Sequence, residues 1–351
     1  MPHTLVTGAN SFVAPHIINE LIAEGHTVTG SVRRESAGQS ILKEHPEWNG
    51  KLDFIVIQDY SDQAALDTVF KNHKFDHVVH VAAPMPGNPQ LVDYDRDFLR
   101  PSVDSNLTLL KAAKAYAPTL KSIAVTGSVN SITTGAVEDN KAREYTNESW
   151  NDITPESARE LKSDFISYCS SKKESELALW EFVKSEKPNF SVTVLLPALI
   201  FGPPLQPLTD LKNLNLSVGL VYRYFNGSFD ELPNTHSAIF PSYVDVRDLA
   251  SAHVRALTTP EAANKRFLIG GEPLTSSLIV NTLRTLSDKG VLPSDFKNRL
   301  PKDTGKDTDL SLPRIRAEEG NKVFKLNLRN AEETFGDLAK KVLELEKKQG
   351  I

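Results

Sequence analysis

Short apolar stretches recur along the chain and alternate with segments of helical periodicity. Strands are predicted at residues 3–7, 28–32, 54–57, 77–81, 122–126, 192–196 and 266–269. Helices are predicted at residues 15–23, 64–72, 103–116 and 167–183. Because strands that alternate with helices pair in parallel, the pattern predicts an α/β protein with a Rossmann-type, doubly wound parallel sheet.

The first predicted strand runs into a turn that suits a bound anion. Gly8 follows the strand, and Asn10, Ser11, Phe12 and Val13 lead into the first predicted helix. Glycine can turn the chain without a Cβ clash, and the amides that open a helix face an anion such as a pyrophosphate. We therefore predict that these residues bind a dinucleotide, although Ser11 stands where glycine is usual. An ordinary strand-to-helix turn is the alternative.

Two arginines, Arg33 and Arg34, follow the second predicted strand. Enzymes that recognise the free ribose 2′-hydroxyl of NAD carry an aspartate or glutamate near this point. Planar guanidinium groups instead suit a 2′-phosphate, to which they donate charge-assisted and often bidentate hydrogen bonds. The arginines therefore predict NADP rather than NAD, with a solvated basic turn as the alternative.

Tyr168 and Lys172 are four residues apart in the predicted helix 167–183 and project from one face. Tyrosine normally titrates near ~10, so it is a poor acid at neutral pH unless a fixed ammonium stabilises the phenolate. We predict that Lys172 lowers the pKa of Tyr168 in this way and that the tyrosine is a proton donor. Taken alone, the spacing fits an exposed pair on an amphipathic helix better.

The motifs and their order resemble those of the extended short-chain dehydrogenase/reductase superfamily. Within it, the chain is similar to the branch that holds dihydroflavonol 4-reductase-like enzymes, fungal methylglyoxal reductases and yeast carbonyl reductases. The order and spacing of the matching blocks are more specific than any single block. The blocks are VTGANSFVA at residues 6–14, DHVVHVAAP at 76–84, AVTGS at 124–128, NESW at 147–150, YCSSKKESE at 168–176 and YVDVRDLASAH at 243–253.

The resemblance implies a role for each catalytic candidate. Ser128 would hydrogen-bond the substrate carbonyl oxygen, Tyr168 would donate a proton, and Lys172 would hold the nicotinamide ribose and tune that tyrosine. Asp59 matches the acid that usually contacts the adenine amine. Gly127 stands where the family commonly has another serine, a change we expect to loosen the loop. The predicted cofactor site also includes Tyr60, Ala82, Pro197, Tyr168 and Lys172.

The sequence changes character after residue 196, where clustered prolines exclude a continuous helix. In the resembled family this region and the C-terminal part form a smaller lobe that builds the substrate pocket. The resemblance therefore implies an NADP-binding domain at residues 1–196, to which residues 241–271 return. The smaller substrate-binding lobe would comprise residues 197–240 and 272–351. Its candidate pocket walls are Phe201, Leu205 and Tyr222, although a place in the core fits each of them better.

Composition limits the possible partners. The 351 residues carry a formal net charge of -5 at pH 7, without the basic stripe that nucleic-acid-binding proteins usually show. The most apolar run, residues 192–201, is too short to span a membrane and is broken by Pro197. The N-terminus lacks a basic region followed by an apolar stretch, so we expect a cytoplasmic protein that binds neither nucleic acid nor membrane.

Neither a disulfide nor a metal site is expected. Cys169 is the only cysteine, which excludes an intrachain disulfide, and we expect it to be a small packing residue. His77 and His80 lie in a predicted strand, where residues at this spacing face opposite ways. We therefore predict no bound metal.

These features predict an NADPH-dependent reductase of aldehydes or ketones, with a small carbonyl compound as its substrate. Carbonyl reduction needs a hydride donor on one face and an acid at the oxygen, because negative charge grows there. A nucleotide-sugar epimerase or dehydratase with the same serine, tyrosine and lysine is one alternative. A non-catalytic NADP-sensing protein is another. We expect a monomer or a homodimer.

Overall fold

The computed structural model describes residues 1–83, 93–133, 143–232, 242–302 and 313–351. The end of the block 76–84, residues 233–240 and 303–312 of the predicted lobe, and residue 241 of the predicted return segment lie outside these ranges. None of the helices in the described ranges is long and apolar enough to cross a membrane.

The strands are β1 (His3–Val6), β2 (Thr27–Val32), β3 (Leu52–Val56), β4 (His77–His80), β5 (Ser122–Thr126), β6 (Glu144–Tyr145), β7 (Ser191–Pro197), β8 (Leu199–Phe201), β9 (Tyr243–Asp245), β10 (Lys265–Ile269) and β11 (Arg314–Ile315). The helices are α1 (Ala14–Ala23), α2 (Glu35–Glu44), α3 (Gln63–Asn72), α4 (Arg100–Tyr116), α5 (Pro155–Leu161), α6 (Asp164–Glu186), α7 (Leu216–Tyr222), α8 (Val246–Ala256), α9 (Ser276–Asp288), α10 (Glu318–Val323) and α11 (Ala331–Gln349).

Seven strands form one parallel sheet in the order β10-β7-β5-β4-β1-β2-β3. β1 pairs with β2 on one side and with β4 on the other, so the strand order reverses between them. This confirms the predicted doubly wound α/β fold, and the predicted strands agree with the observed ones to within two residues at each end. Such sheets bind ligands outside the carboxyl ends of the strands at the point of reversal, which here lies at β1 and β4.

The sheet is buried on both faces because helices cover each side. Leu5 and Val6 are neighbours in β1 and point to opposite faces, yet both are fully buried. Leu5 belongs to an apolar cluster that includes α3, α4 and α6, whereas Val6 belongs to a cluster that includes α1 and α8. Burial of a side chain of this size contributes roughly 1.5–3 kcal/mol, so the sheet is a firm support for residues at its edge.

A third apolar cluster forms from the chain that follows β7. α7, α9 and α11 contribute Val221, Leu283 and Phe335 to it, and β8 contributes Phe201. Phe12, from the turn after β1, packs against both this cluster and the cluster around α1. β8 pairs in parallel with β9, apart from the main sheet. The division of the chain into two lobes stays a prediction.

Helix α6 carries the predicted tyrosine and lysine. Its first turn is capped by the side chain of Ser163, which accepts a hydrogen bond from the amide of Ile166. Tyr168 and Lys172 are both buried, at 8% exposure each, so the exposed amphipathic pair is excluded. The buried serines of the helix are Ser167, Ser170, Ser171 and Ser175.

Candidate active site

Gly8 makes the turn between β1 and α1. Its φ of 65° lies in the left-handed region that favours glycine, and a Cβ built on it would lie 3.3 Å from the Cα of Ala82. The amide of Ser11 donates to the carbonyl of Gly8 (2.9 Å), and the hydroxyl of Ser11 accepts from the amide of Ala14 (3.4 Å). The turn therefore brings the backbone against the end of β4. Of the other predicted turn residues, Asn10 is exposed, Phe12 is partly buried and Val13 is buried.

Tyr60 contacts this turn through its hydroxyl group. Its hydroxyl accepts a hydrogen bond from the amide of Gly8 (3.3 Å) and bonds the hydroxyl of Ser31. Burial raises the pKa of Tyr60, so its phenol is neutral. Asp59 is exposed and accepts hydrogen bonds from the amide and hydroxyl of Ser61, which lower the pKa of its carboxyl group. A direct contact of Asp59 or Tyr60 with a cofactor stays a prediction.

The remaining predicted cofactor residues lie at carboxyl ends of strands. Arg33 and Arg34 directly follow β2 and are exposed. Within the described part of the chain, neither guanidinium has a hydrogen-bond or ion-pair partner. Pro197 ends β7 and is buried. The two arginines are therefore available to a ligand that approaches this edge of the sheet.

The hydroxyls of Ser128 and Tyr168 meet in one buried site. Ser128 follows β5 through Gly127 and is 6% exposed. The phenol of Tyr168 donates to the Oγ of Ser128 at 3.5 Å. The Oγ of Ser128 also accepts from the amide of Asn130 (3.1 Å) and donates to its side-chain oxygen (3.3 Å). The fold thus brings together two hydroxyls that lie far apart in sequence.

Burial governs the titration of Tyr168 and Lys172. It raises the pKa of Tyr168 to about 12, with only a partial offset from the hydrogen bond to Ser128. It lowers the pKa of Lys172 to about 8. The ammonium of Lys172 donates to the carbonyl of Thr126 (3.3 Å). The predicted lowering of the pKa of Tyr168 is therefore not found in this structure, where burial, the Ser128 hydroxyl and Cys169 shift it and the net change is upward.

Arg266 and Glu176 form a buried ion pair that no sequence motif indicated. Nε of Arg266, in β10, donates to Oε1 of Glu176 (2.7 Å), and Nη2 donates to Oε2 (3.0 Å). The two side chains are 10% and 4% exposed. Nη1 of Arg266 donates to the carbonyls of Asn147 and Ser149 (2.8 Å each). Glu176 lies one helical turn after Lys172, a spacing that places both on one face of α6 but gives no sign of Arg266, which is 90 residues away in sequence.

The three predicted pocket walls have different surroundings. Phe201 is 1% exposed and packs against two other aromatic rings of the third apolar cluster. It is therefore a core residue, and the prediction that it lines a pocket is wrong. The carbonyl of Leu205 accepts a hydrogen bond from Nε2 of His45 (2.8 Å), and the ring of Tyr222 lies 5.2 Å from that of Phe225. Pocket roles for Leu205 and Tyr222 stay predictions.

The cysteine and the two strand histidines make structural contacts. Cys169 is fully buried in an apolar cluster, as expected of a packing residue. Nδ1 of His77 lies 2.8 Å from the hydroxyl of Ser122, and Nδ1 of His80 lies 2.9 Å from the hydroxyl of Thr7. Across the described ranges, no three or more histidine, cysteine, aspartate or glutamate side chains are grouped so that they could hold a metal ion.

Gly127 occupies a position with no room for a larger side chain. A Cβ built there would lie 2.6 Å from Cδ2 of Leu196, 2.8 Å from Cγ1 of Val194 and 3.1 Å from the carbonyl oxygen of Leu195. The amide of Gly127 donates to that carbonyl at 2.7 Å. The expectation that glycine loosens this loop is therefore wrong, because the segment before Ser128 is tethered and closely packed.

Gly127→Ser is expected to destabilise the protein, because the added atoms must displace close-packed neighbours. Overpacking of this kind lowers the free energy of unfolding by roughly 1–3 kcal/mol. Urea unfolding measures the change. Gly219→Ser is the control, since a Cβ at Gly219 meets its nearest neighbour at 3.9 Å. Equal midpoints for Gly127→Ser and the wild type would show that the neighbours move aside freely.

Fold and site together define the class of this protein. A doubly wound sheet, a glycine turn at its carboxyl edge and a buried serine, tyrosine and lysine are the features of a short-chain dehydrogenase/reductase. The chain belongs to the NAD dependent epimerase/dehydratase family, whose profile matches residues 4–270.

Relatives with named activities refine this placement. The chain is 30% identical over 348 residues to the NADPH-dependent methylglyoxal reductase GRE2 of Saccharomyces cerevisiae. This match covers 97% of this chain and 98% of the relative. It is 33% identical over 303 residues to the ketoreductase azaE of Aspergillus niger, covering 85% and 87%. The structure of yeast methylglyoxal/isovaleraldehyde reductase Gre2 complexed with NADPH is similar with a TM-score of 0.82, at 28% identity over 99% of both chains. UDP-glucose 4-epimerase from Bifidobacterium longum shares the fold, with a TM-score of 0.70 at 18% identity over 97% and 98% of the two chains. The predicted reductase branch is confirmed.

Proposed function

We propose that this protein reduces aldehydes or ketones to alcohols with NADPH. The observation that carries the proposal is that the buried hydroxyls of Ser128 and Tyr168 lie 3.5 Å apart. Tyr168 lies on the helix that also carries Lys172. The ketoreductase and methylglyoxal reductase relatives support the same reaction. A cytoplasmic location and a monomeric or homodimeric state stay predictions.

The turn after β1 fits a dinucleotide. Gly8 allows the backbone to approach Ala82, against which a Cβ at residue 8 would press at 3.3 Å. Arg33 and Arg34 suit a 2′-phosphate, and the NADPH-dependent relatives support NADP as the cofactor. When bound, NADPH supplies the hydride. The residues proposed to hold it are Gly8, Asn10, Ser11, Phe12, Val13, Arg33, Arg34, Asp59, Tyr60, Ala82, Tyr168, Lys172 and Pro197.

Ser128 and Tyr168 would bind the carbonyl oxygen of the substrate. Negative charge grows on that oxygen during reduction, so hydroxyls aimed at it stabilise the transition state more than the substrate. Because the pKa of Tyr168 is raised to about 12, its phenol holds its proton at neutral pH and can transfer it to the forming alkoxide. The pKa of Lys172, about 8, keeps most of its ammonium charged at pH 7, where it would hold the nicotinamide ribose.

An absorbance assay of NADPH consumption tests the proposal. The purified protein would be mixed with NADPH and a panel of aldehydes, α-diketones and β-keto esters. We expect turnover of at least one carbonyl compound and formation of the matching alcohol. NADPH binding without turnover of any carbonyl would overturn the reductase function and favour an NADP sensor. Conversion of a nucleotide sugar without net NADPH consumption would favour the epimerase alternative.

Replacement of both Arg33 and Arg34 by alanine is expected to weaken NADPH binding. Each charge-assisted hydrogen bond to a 2′-phosphate contributes about 1.5–3 kcal/mol, so the KM for NADPH should rise about tenfold or more. NADH is the internal control, because it lacks the phosphate and its KM should change little. Steady-state kinetics with both cofactors measure the two effects. Equal losses for NADPH and NADH would contradict the assignment of Arg33 and Arg34.

A further inference from the structure

Asn151 is a buried residue, 4% exposed, that follows the NESW block. Its Nδ2 donates two hydrogen bonds, to the carbonyl of Asn130 (2.6 Å) and to the carbonyl of Cys169 (3.1 Å). Its Oδ1 accepts a hydrogen bond from the amide of Ile153 (3.1 Å). Two partners can only accept and the third can only donate, so the orientation of the carboxamide is unambiguous.

The two carbonyls flank the catalytic candidates. Asn130 is two residues after Ser128, and its own amide donates to the hydroxyl of Ser128 (3.1 Å). Cys169 directly follows Tyr168 in α6. A single carboxamide, that of Asn151, thus bridges the loop that carries Ser128 and the helix that carries Tyr168.

Further contacts hold this bridge in place. The amide of Asn151 donates to the carbonyl of Ser131 (2.9 Å), in the same loop as Ser128. Lys173, in α6, has a side chain 12% exposed, and its Nζ donates to the carbonyl of Asn151 (3.2 Å) and to that of Ile153. The backbone of Asn151 is therefore fastened to both elements that its side chain joins.

We propose that Asn151 is a positioning residue that sets the separation of the Ser128 and Tyr168 hydroxyls. The catalytic consequence rests on the proposed reductase function. Two hydroxyls 3.5 Å apart can reach the same carbonyl oxygen, and a displacement of about 1 Å at a catalytic group can lower a rate about 100-fold. Loss of the side-chain bridge leaves the two carbonyls without this donor, so that Asn151 joins the loop to α6 only through its backbone contacts.

Asn151→Asp tests the proposal, because it keeps the shape and the acceptor but removes both donors. Asn147→Asp is the matched control. Asn147 is also buried, at 8% exposure, and its side chain accepts from the amide of Leu268 (2.8 Å) and donates to Glu319 (2.8 Å). We expect both variants to be less stable than the wild type. Only Asn151→Asp should lower kcat for carbonyl reduction, by about 10- to 100-fold, with little change in the Kd for NADPH.

Amide hydrogen exchange supplies a readout that needs no turnover. In Asn151→Asp, residues 128–133 and 168–173 should exchange faster than in the wild type, whereas Asn147→Asp should leave them unchanged. Equal kcat values for the two variants, with wild-type exchange in both segments, would overturn the inference and leave the reductase function standing.

Two other outcomes are also decisive. Absence of turnover in the wild type would overturn the reductase function, and the exchange pattern would then still decide whether Asn151 couples the loop to α6. If either aspartate variant does not fold, Asn151→Ala and Asn147→Ala give the same comparison with neutral side chains.

Discussion

Tyr168→Phe is expected to lower kcat for carbonyl reduction by about 10²–10⁴-fold, the range that a general acid contributes. The change removes one oxygen atom, which is both the proposed proton donor and a hydrogen-bond partner of Ser128. The ring stays, so the packing of α6 and the turn at Gly8 should be preserved. The Kd for NADPH, measured by fluorescence titration, should therefore change far less than kcat.

Tyr94→Phe is the matched control for this experiment. Tyr94 is 5% exposed, lies in the same apolar cluster as Tyr168 and bonds the hydroxyl of Ser170 in α6 at 2.8 Å. Its replacement also deletes a buried phenol that contacts α6, but not one that contacts Ser128. We expect some loss of stability and a kcat near that of the wild type. Comparable losses of kcat in the two variants would contradict the role of Tyr168 as the acid.

Arg266→Met is expected to lower the free energy of unfolding by about 3–5 kcal/mol, because it leaves a buried carboxylate without its cation. Among the described residues, Glu176 would keep hydrogen bonds from Ser131 (3.0 Å) and from the indole of Trp180 (3.1 Å). The guanidinium of Arg266 also lies 3.7 Å from the ring centroid of Trp150, a contact that methionine replaces only in part. Urea unfolding of the variant and the wild type measures the difference.

Lys114→Met serves as the comparison for Arg266→Met. Lys114 pairs with Glu186 on the surface, where the two side chains are 37% and 49% exposed. Exposed ion pairs are weakened by solvent and salt, so this change should shift the unfolding midpoint little. Similar shifts of the unfolding midpoint in the two variants would show that the buried Arg266–Glu176 pair contributes no more to stability than the exposed Lys114–Glu186 pair.

The fold could be predicted from the sequence because its signals are local. The apolar run Ser122–Thr126 coincides with β5, and the glycine at residue 8 sits at the turn that its missing Cβ suggests. The pair Tyr168 and Lys172 lies on one helix, as the four-residue spacing required. Hydrophobic periodicity and backbone sterics act over a few residues, so they can be read without knowledge of what packs against them.

The errors at the site have a common physical origin. The chemical type of Tyr168 and Lys172 says nothing of how completely water is removed around them, and that desolvation raises one pKa and lowers the other. The residue type of Phe201 allows both a pocket wall and a core position, and the rings packed around it decide for the core.

The sequence by itself determined the doubly wound sheet, the turn at Gly8 and the residue types of a carbonyl-reducing site. Only the tertiary structure decided that Ser128 and Tyr168 meet at 3.5 Å, that Arg266 pairs with Glu176, and that Asn151 bridges the loop of Ser128 and helix α6. These contacts join residues far apart in the chain. Their geometry depends on how the helices pack against both faces of the sheet, which no local pattern encodes.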